Sequence, residues 1–257
     1  MRRSRAIRDS YQQLSDELDS ARQAAEQLEQ RKNRLLMDLS HDIKTPMSTI
    51  LACAKALESG MVPEDKRQAY FAAIDAKGHQ VLRLADDLVV VMSMQSADFA
   101  IVKQPLDAAE LLRTVCVARL DEVENRGLTL DVDIPEDPQI INADRNLMGR
   151  VLENLLANAI KYNTTGLQIR TSLTPLPDGL LFVVADDGNA IPEAHRAAIF
   201  DVFVRVDQAR ATEGSGLGLS ICKGIVDRHQ GRIDYLRTAH WNEFRVFLPT
   251  DSASNGS

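Results

Sequence analysis

Residues 153–162 read Glu153-Asn154-Leu155-Leu156-Ala157-Asn158-Ala159-Ile160-Lys161-Tyr162. Asn154, Asn158 and Lys161 are spaced four and three apart, so they share one helical face and leave Leu155, Leu156 and Ile160 to pack. Two amides and an ammonium on one face suit a hydrated divalent cation and phosphate oxygens, because Mg2+ takes oxygen ligands and shares them with substrate phosphates. Taken by itself, the stripe reads more readily as a solvated polar face.

Two segments downstream change that balance. Val183-Val184-Ala185-Asp186-Asp187-Gly188-Asn189-Ala190-Ile191-Pro192 is an apolar strand ending in two acids and a Gly-containing turn. Asp186, at the end of a buried strand, suits a nucleobase amine, although Asp-Gly alone is a common hairpin turn. Gly214-Ser215-Gly216-Leu217-Gly218-Leu219-Ser220-Ile221 runs alternate glycines into an amphipathic helix. Small residues let backbone amides approach phosphate oxygens, and a helix N-terminus adds a favourable dipole. No Lys-Ser/Thr follows, so this is not a Walker loop. Its GxGxG spacing, with no strand leading in, is not a dinucleotide fingerprint.

The first third of the chain is helical in pattern. Ile7, Tyr11, Leu14, Leu18, Ala21, Ala25, Leu28, Lys32, Leu35 and Leu39 alternate steps of three and four without Gly or Pro. Leu35, Leu39 and Ile43 then make two consecutive steps of four, a stutter that unwinds a coiled coil, and it falls on Ser40-His41-Asp42. Pro46 follows and favours a kink. Gly60 and Pro63 end this helix, and a second runs from about Glu64 to Met94. Two such helices joined by a short loop form an antiparallel hairpin, and dimerisation into a four-helix bundle would bury its apolar faces. On the Leu39–Ile43 seam, His41 points away from the core, where a phosphoryl donor can reach it, and neutral imidazole is a nucleophile near pH 7. Asp42 is placed to orient the ring or take its other proton. A lone histidine on a helix is usually only surface. The other four, His79, His195, His229 and His240, are given no role.

Beyond Gln95 the pattern shifts to strand-like runs at Ile101-Val102, 128–134, 167–173, 180–185, 232–236 and 244–248, alternating with helical stretches near 107–125, 144–162 and 216–229. This predicts helices against one face of a mostly antiparallel sheet.

Thirty basic against 37 acidic residues give a formal net charge of −7, which argues against bulk nucleic-acid binding. A hydrophobic content of 44% excludes wholesale disorder, and 5% aromatics with one Trp favour aliphatic cores over a large β-sandwich. Cys53, Cys116 and Cys222 form no CxxC pair, so neither a disulfide framework nor a zinc site is indicated. No apolar run approaches the ~18–20 residues of a membrane span, and no signal peptide is visible, so the chain as given reads as soluble. Arg2, Arg3, Arg5 and Arg8, without an acid among them, read equally as a solvated start or as the cytoplasmic flank of a membrane helix.

Residues 154–162, 186–192, Ile199-Phe200-Asp201-Val202-Phe203-Val204-Arg205 and 214–221 occur in order and resemble the N, G1, F and G2 boxes of two-component sensor histidine kinases. Leu39-Ser40-His41-Asp42-Ile43-Lys44-Thr45-Pro46 resembles their H box. The resemblance spans roughly residues 30–250. Each box alone is a weak signal, whereas all five together are specific. It implies an antiparallel helical hairpin, forming a dimeric four-helix bundle, followed by an α/β-sandwich ATP-binding domain of the gyrase/Hsp90/histidine-kinase type. The implied divisions are a signalling helix over 1–33, a dimerisation and phosphotransfer domain over 34–96, a linker over 97–103, the ATP-binding domain over 104–250 and a polar tail over 251–257.

Residue by residue, the resemblance implies that His41 accepts the phosphoryl group. Asn158 corresponds to the Mg2+-binding Asn, with Asn154 a turn before it. Lys161 corresponds to the phosphate-contacting Lys, and Tyr162 lines the nucleotide. Asp186 corresponds to the adenine-reading Asp, within a loop that includes Gly188, Ala190 and Ile191. Arg205 corresponds to the Arg near the γ-phosphate, and Gly214, Gly216, Leu217 and Gly218 belong to the lid. Thr45, three residues after Asp42, matches an acid-xx-Thr pattern of members that also dephosphorylate their partner. The implied activity is an ATP-dependent protein-histidine kinase with phosphatase activity, using ATP and Mg2+ and passing its phosphoryl group to an Asp of a response regulator. It would be the cytoplasmic portion of a membrane-anchored sensor.

Three departures stand out. Ala190 replaces the second Gly of the family's DxGxG. Its methyl group is expected to crowd the ligand, and to add strain if φ is positive. Gln230, in His229-Gln230-Gly231, stands where the family commonly has Gly. The hairpin from Thr238 to Phe247 lacks the usual glycines. Rival readings are a clamp-type ATPase, which the H box argues against, and a dimeric ATP-binding scaffold with weak or lost activity, suggested by Ala190.

Overall fold

The fold is described from a computed structural model, in which residues 2–94, 99–201 and 216–250 are placed. It divides into two compact units, Met1–Leu84 and Ala85–Ser257.

The first unit is built on two helices. α1 runs Arg2–Glu58 and passes through Pro46 as one continuous helix, so the expected kink does not interrupt it. Pro46 has no N–H for the Asp42 carbonyl. The chain reverses at Gly60, whose φ of +68° is left-handed, and at the buried Val62. α2, Glu64–Met94, opens with Glu64 and Asp65 at its positive dipole end. Leu39, Pro46 and Val62 are buried in this unit.

The second unit is a layered α/β domain, and the last turns of α2 belong to it. A two-stranded ladder pairs β1 (Gln104–Asp107) with β3 (Ile140–Ala143), antiparallel. The main sheet has five strands, β2 (Thr129–Asp133), β4 (Gln168–Leu176), β5 (Gly179–Asp186), β7 (Asn242–Pro249) and β6 (Arg232–Arg237), in that spatial order. Only the β2–β4 pairing is parallel. Strand alternation buries Ile169, Phe182, Val184, Val246 and Leu248 under the helices. The covering helices are α3 (Ala108–Val117), α5 (Arg145–Tyr162) and α7 (Gly218–Arg228). They supply Leu112, Leu155, Leu156, Ile221 and Ile225 to the core. Asp107 caps α3 and Asp144 caps α5, each accepting two backbone N–H bonds.

Five details differ from the sequence pattern, the first being the strand β1 itself, which lies outside every predicted strand run. Ile101-Val102 is not a strand, because the Val102 N–H goes to Asp144 Oδ2 at 3.2 Å rather than to a ladder. The stretch 107–125 is two helices, α3 and α4 (Leu120–Asn125), separated where the Arg119 N–H bonds back to the Cys116 carbonyl at 3.1 Å. The short strand β3 and the single-turn α6 (Glu193–Arg196) are too brief to show a period.

At the far end of α7, the buried His229 donates from Nδ1 to the Ile225 carbonyl at 2.8 Å and accepts the Asp144 N–H at Nε2 at 3.0 Å. Burial holds its pKa below the usual histidine range, so the neutral ring ties the end of α7 to the cap of α5. Gln230 follows with φ +62°, the one non-glycine residue of positive φ among the described residues. Its N–H bonds to the Asp227 carbonyl and the Gly231 N–H to the Val226 carbonyl, completing a Schellman cap. Gly231 must lack a side chain, since a Cβ there would lie 2.4 Å from the Phe247 carbonyl oxygen. A left-handed non-glycine residue costs about 1–2 kcal/mol, partly offset by the greater unfolded-state freedom of Gly. Gln230→Gly should therefore stabilise the second unit by about 0.5–1 kcal/mol, raising its thermal midpoint by about 1–4 °C in calorimetry, while Gly231→Ala lowers it.

Candidate functional site

In the first unit the His41 side chain is 76% exposed, and its Nδ1 lies 3.6 Å from Asp42 Oδ1, whose side chain is 23% exposed. Were the Nδ1 proton to turn to this carboxylate, Nε2 would carry the free lone pair. Thr45, one turn on, donates its hydroxyl to the His41 carbonyl at 3.2 Å, leaving its oxygen able to accept. The outward placement of His41 agrees with the stutter reading.

In the second unit α5 carries Asn154, Asn158 and Lys161, all half-buried, while Tyr162 is exposed. The Lys161 ammonium sits 4.7 Å from the Tyr162 ring centroid and donates to its hydroxyl at 3.3 Å. α7 begins beside this helix: a Cβ on Gly218 would lie 3.7 Å from Asn154 Cγ. Gly216 has φ +67°, and α7 opens without a side-chain cap, so no side chain caps its first-turn amides. Asn154 Nδ2 is buried with no partner beyond the weakly accepting Cys222 sulfur, the one such side-chain nitrogen or oxygen among the described residues. An orphaned donor beside an uncapped helix start fits an anionic oxygen ligand. Among the described residues no cluster of His, Cys, Asp or Glu could hold a metal. A cation here would lean on the Asn158 amide oxygen and on phosphate, which fits Mg2+ shared with a nucleotide.

Asp186 ends β5 and is buried at 5% exposure. Its Oδ1 accepts the Gly188 N–H at 3.0 Å and Asn242 Nδ2 at 2.8 Å. Burial pushes its pKa up, against the pull of the Asn242 and Gly188 hydrogen bonds and of Arg237. Asp187 behaves oppositely. Burial opposes its charge, but hydrogen bonds from the Gln168 N–H, Asn163 Nδ2 and the Leu167 N–H prevail and lower its pKa. It thereby knits the turn after α5 to the sheet. Gly188 is required by space, since a Cβ would lie 2.8 Å from Asp186 Oδ1. Ile191 is half-buried and its N–H donates to the Tyr235 hydroxyl at 3.3 Å. Ala190 is exposed and its φ is not positive, so the expected backbone strain does not exist there. Arg205 and Gly214 lie outside the described residues.

Sequence reading missed Asn163, Tyr235, Arg237 and Asn242, which hold the Asp186 loop. The available signal was Asn242, a polar residue at a position where the β7 alternation buries side chains. Burial disfavours the thiolate at two of the cysteines, raising the pKa of Cys116 and pushing Cys222 up to about 12.

Residues 31–96 match the family of His Kinase A (phospho-acceptor) domains, and residues 143–252 match that of histidine kinase-, DNA gyrase B- and HSP90-like ATPases. The chain is also 35% identical over 214 residues to the sensor protein GtcS of Aneurinibacillus migulanus, covering 83% of this chain and 58% of that one. The chain belongs to the sensor histidine kinase family. The kinase shares its fold with Acinetobacter baumannii AdeS, at TM-score 0.67 and 19% identity, over 82% of this chain and 98% of that one. Full-length ShkA, solved in complex with AMPPNP, matches at TM-score 0.62 and 26% identity over 86% of this chain and 46% of that one. The second unit of the kinase is an ATP-binding domain. The chain spans little more than half the length of GtcS, and among its described residues no helix is long and apolar enough to cross a membrane.

Because Asp186 has a raised pKa, the wild-type fold gains relative stability below the ordinary carboxylate range and loses it as pH rises through that raised value. Asp186→Asn accepts the same two donors without a buried charge. It should match or exceed wild type in thermal stability at pH 7, with the difference vanishing near pH 3. Its adenine-nucleotide affinity, measured by titration calorimetry, should nevertheless fall at least about tenfold, or about 1.4 kcal/mol.

Proposed function

We propose that the chain is the catalytic core of a bifunctional sensor kinase that phosphorylates His41 from Mg-ATP and passes the phosphoryl group to an aspartate of a response regulator. The observation that carries this reading is the exposed imidazole of His41 beside the Asp42 carboxylate, on a hairpin of the phospho-acceptor family. Nε2 attacks the γ-phosphorus, the bond to the ADP oxygen breaks, and the Nδ1 proton passes towards Asp42. A regulator carboxylate then takes the phosphoryl group and restores the imidazole. Such transfers depend on alignment and charge neutralisation more than on covalent chemistry by the protein.

On the nucleotide side, Asp186 reads the adenine amine, within the loop of Gly188, Ala190 and Ile191. Lys161, the Asn154 amide and the glycine-rich start of α7, with Gly216, Leu217 and Gly218, meet the phosphates, and Gly214 and Arg205 belong to the same set. Tyr162 lines the nucleotide. Asn158 holds Mg2+, which supplies charge neutralisation at the phosphates when bound. The pairing of an orphaned Asn154 donor with an uncapped α7 supports this assignment. Homodimerisation through the hairpin is supported by large apolar side chains left in solvent on the single chain, among them Leu51, Phe71 and Leu82.

Incubation with γ-labelled ATP and Mg2+ should give acid-labile protein phosphate that His41→Gln abolishes. Retention of wild-type labelling in that variant would refute the assignment and favour a clamp-type ATPase. Thr45→Ala should keep His41 labelling within about twofold while slowing dephosphorylation of the phosphorylated regulator at least about tenfold, because its oxygen would no longer position the attacking water. Equal loss of both activities would make Thr45 structural.

A further inference from the structure

Asn242 opens β7 directly opposite Asp186 in the β5–β7 register, and it is 3% exposed. Its Nδ2 donates to Asp186 Oδ1 at 2.8 Å and to the Asn189 carbonyl at 3.0 Å, with the Gly188 carbonyl at 3.4 Å. Its Oδ1 accepts the Tyr235 hydroxyl at 2.8 Å and Arg237 Nη1 at 2.9 Å. The amide is therefore fixed in one orientation, since a flip would set its oxygen against three acceptors and its nitrogen against two donors. Tyr235 extends the latch by accepting the Ile191 N–H, and Arg237 donates to the Gly188 carbonyl at 3.2 Å, so side chains of the last hairpin hold both ends of the run from Asp186 to Ile191.

We propose that the Asn242–Tyr235 latch sets base selectivity, by fixing Asp186 as a pure acceptor towards the base. This rests on the nucleotide reading above. Asp186 Oδ1 already takes two donors, Gly188 N–H and Asn242 Nδ2, which leaves Oδ2 to face a ligand. An ionised carboxylate accepts from the exocyclic amine of adenine and repels the O6 carbonyl that guanine presents there. A protonated Asp186 would instead donate to that carbonyl. The groups acting on Asp186 are Asn242 on β7, Arg237 on β6, the Gly188 N–H and the neighbouring Asp187. Burial favours the protonated form and Asn242 opposes it, so removing the Asn242 amide turns the reader towards a donor and blurs the distinction between bases. Asn242 and Tyr235 touch no substrate themselves and act as positioning residues.

The test is titration calorimetry with non-hydrolysable ATP and GTP analogues in Mg2+, on wild type, Asn242→Leu and Tyr235→Phe, each checked for folding by circular dichroism. Wild type should prefer the adenine analogue. Folded Asn242→Leu should narrow that preference at least tenfold, chiefly by losing adenine affinity. A structural role alone would weaken both analogues alike, and an unchanged ratio in folded Asn242→Leu overturns the proposal. Should Asn242→Leu not fold, the ratio in Tyr235→Phe decides on the same terms. Wild type that binds neither analogue refutes the nucleotide reading and this inference together. Selective wild type with an unchanged ratio in the deciding variant refutes the inference alone.

Discussion

A carboxylate is tolerated inside a sheet only where donors surround it, and Asp186 is the single polar side chain of β5, whose sequence is GLLFVVAD. Its donors come from separate parts of the chain: the backbone of Gly188 two residues on, and the amide of Asn242 some fifty residues downstream. The second donor arrives only because β7 pairs with β5 in the register that sets Asn242 against Asp186. A one-residue slip would turn Asn242 to the opposite face, strip the carboxylate of a donor and expose Phe244, Val246 and Leu248. The packing of the sheet and the hydrogen bonding of its Asp186 end are thus enforced by one constraint.

The neighbouring acid answers a different demand. Asp187 collects the Leu167 and Gln168 N–H groups and the Asn163 amide, and so ends α5 against the start of β4. Gly166 is pinned under it, because a Cβ there would lie 2.0 Å from Asp187 Oδ1. Two adjacent carboxylates are pushed in opposite directions by their surroundings, one by burial and one by donors. That separates a desolvated carboxyl from a donor-saturated scaffold group within a single dipeptide.

The helical hairpin, the three covering helices and most of the sheet were legible because their apolar periods are long and regular. The heptad stutter at Leu39–Ile43 also told correctly that His41 faces outward. What escaped was whatever depends on contacts distant in sequence. Val102 looks like strand until the Asp144 side chain takes its N–H. Ala190 looks strained beside the family's glycine, yet the left-handed residue is Gln230, whose conformation follows from a helix end that only the Asp227 and Val226 carbonyls define. Asn242 carries no motif at all. Its importance lies in what stands across the ladder, and a single sequence does not display its own strand register.

Both ends of α7 are bounded by left-handed residues, Gly216 at φ +67° and Gln230 at φ +62°. An α-helix cannot propagate through such a residue, so α7 lengthens only by flipping one of them. At Gly216 the flip meets no Cβ penalty. At Gln230 it would break the paired cap bonds, and the following Gly231 is wedged against the Phe247 carbonyl, while His229 is bonded to the cap of α5. The helix is therefore tied down at its Gln230 end, while at its Gly216 end no Cβ stands against lengthening.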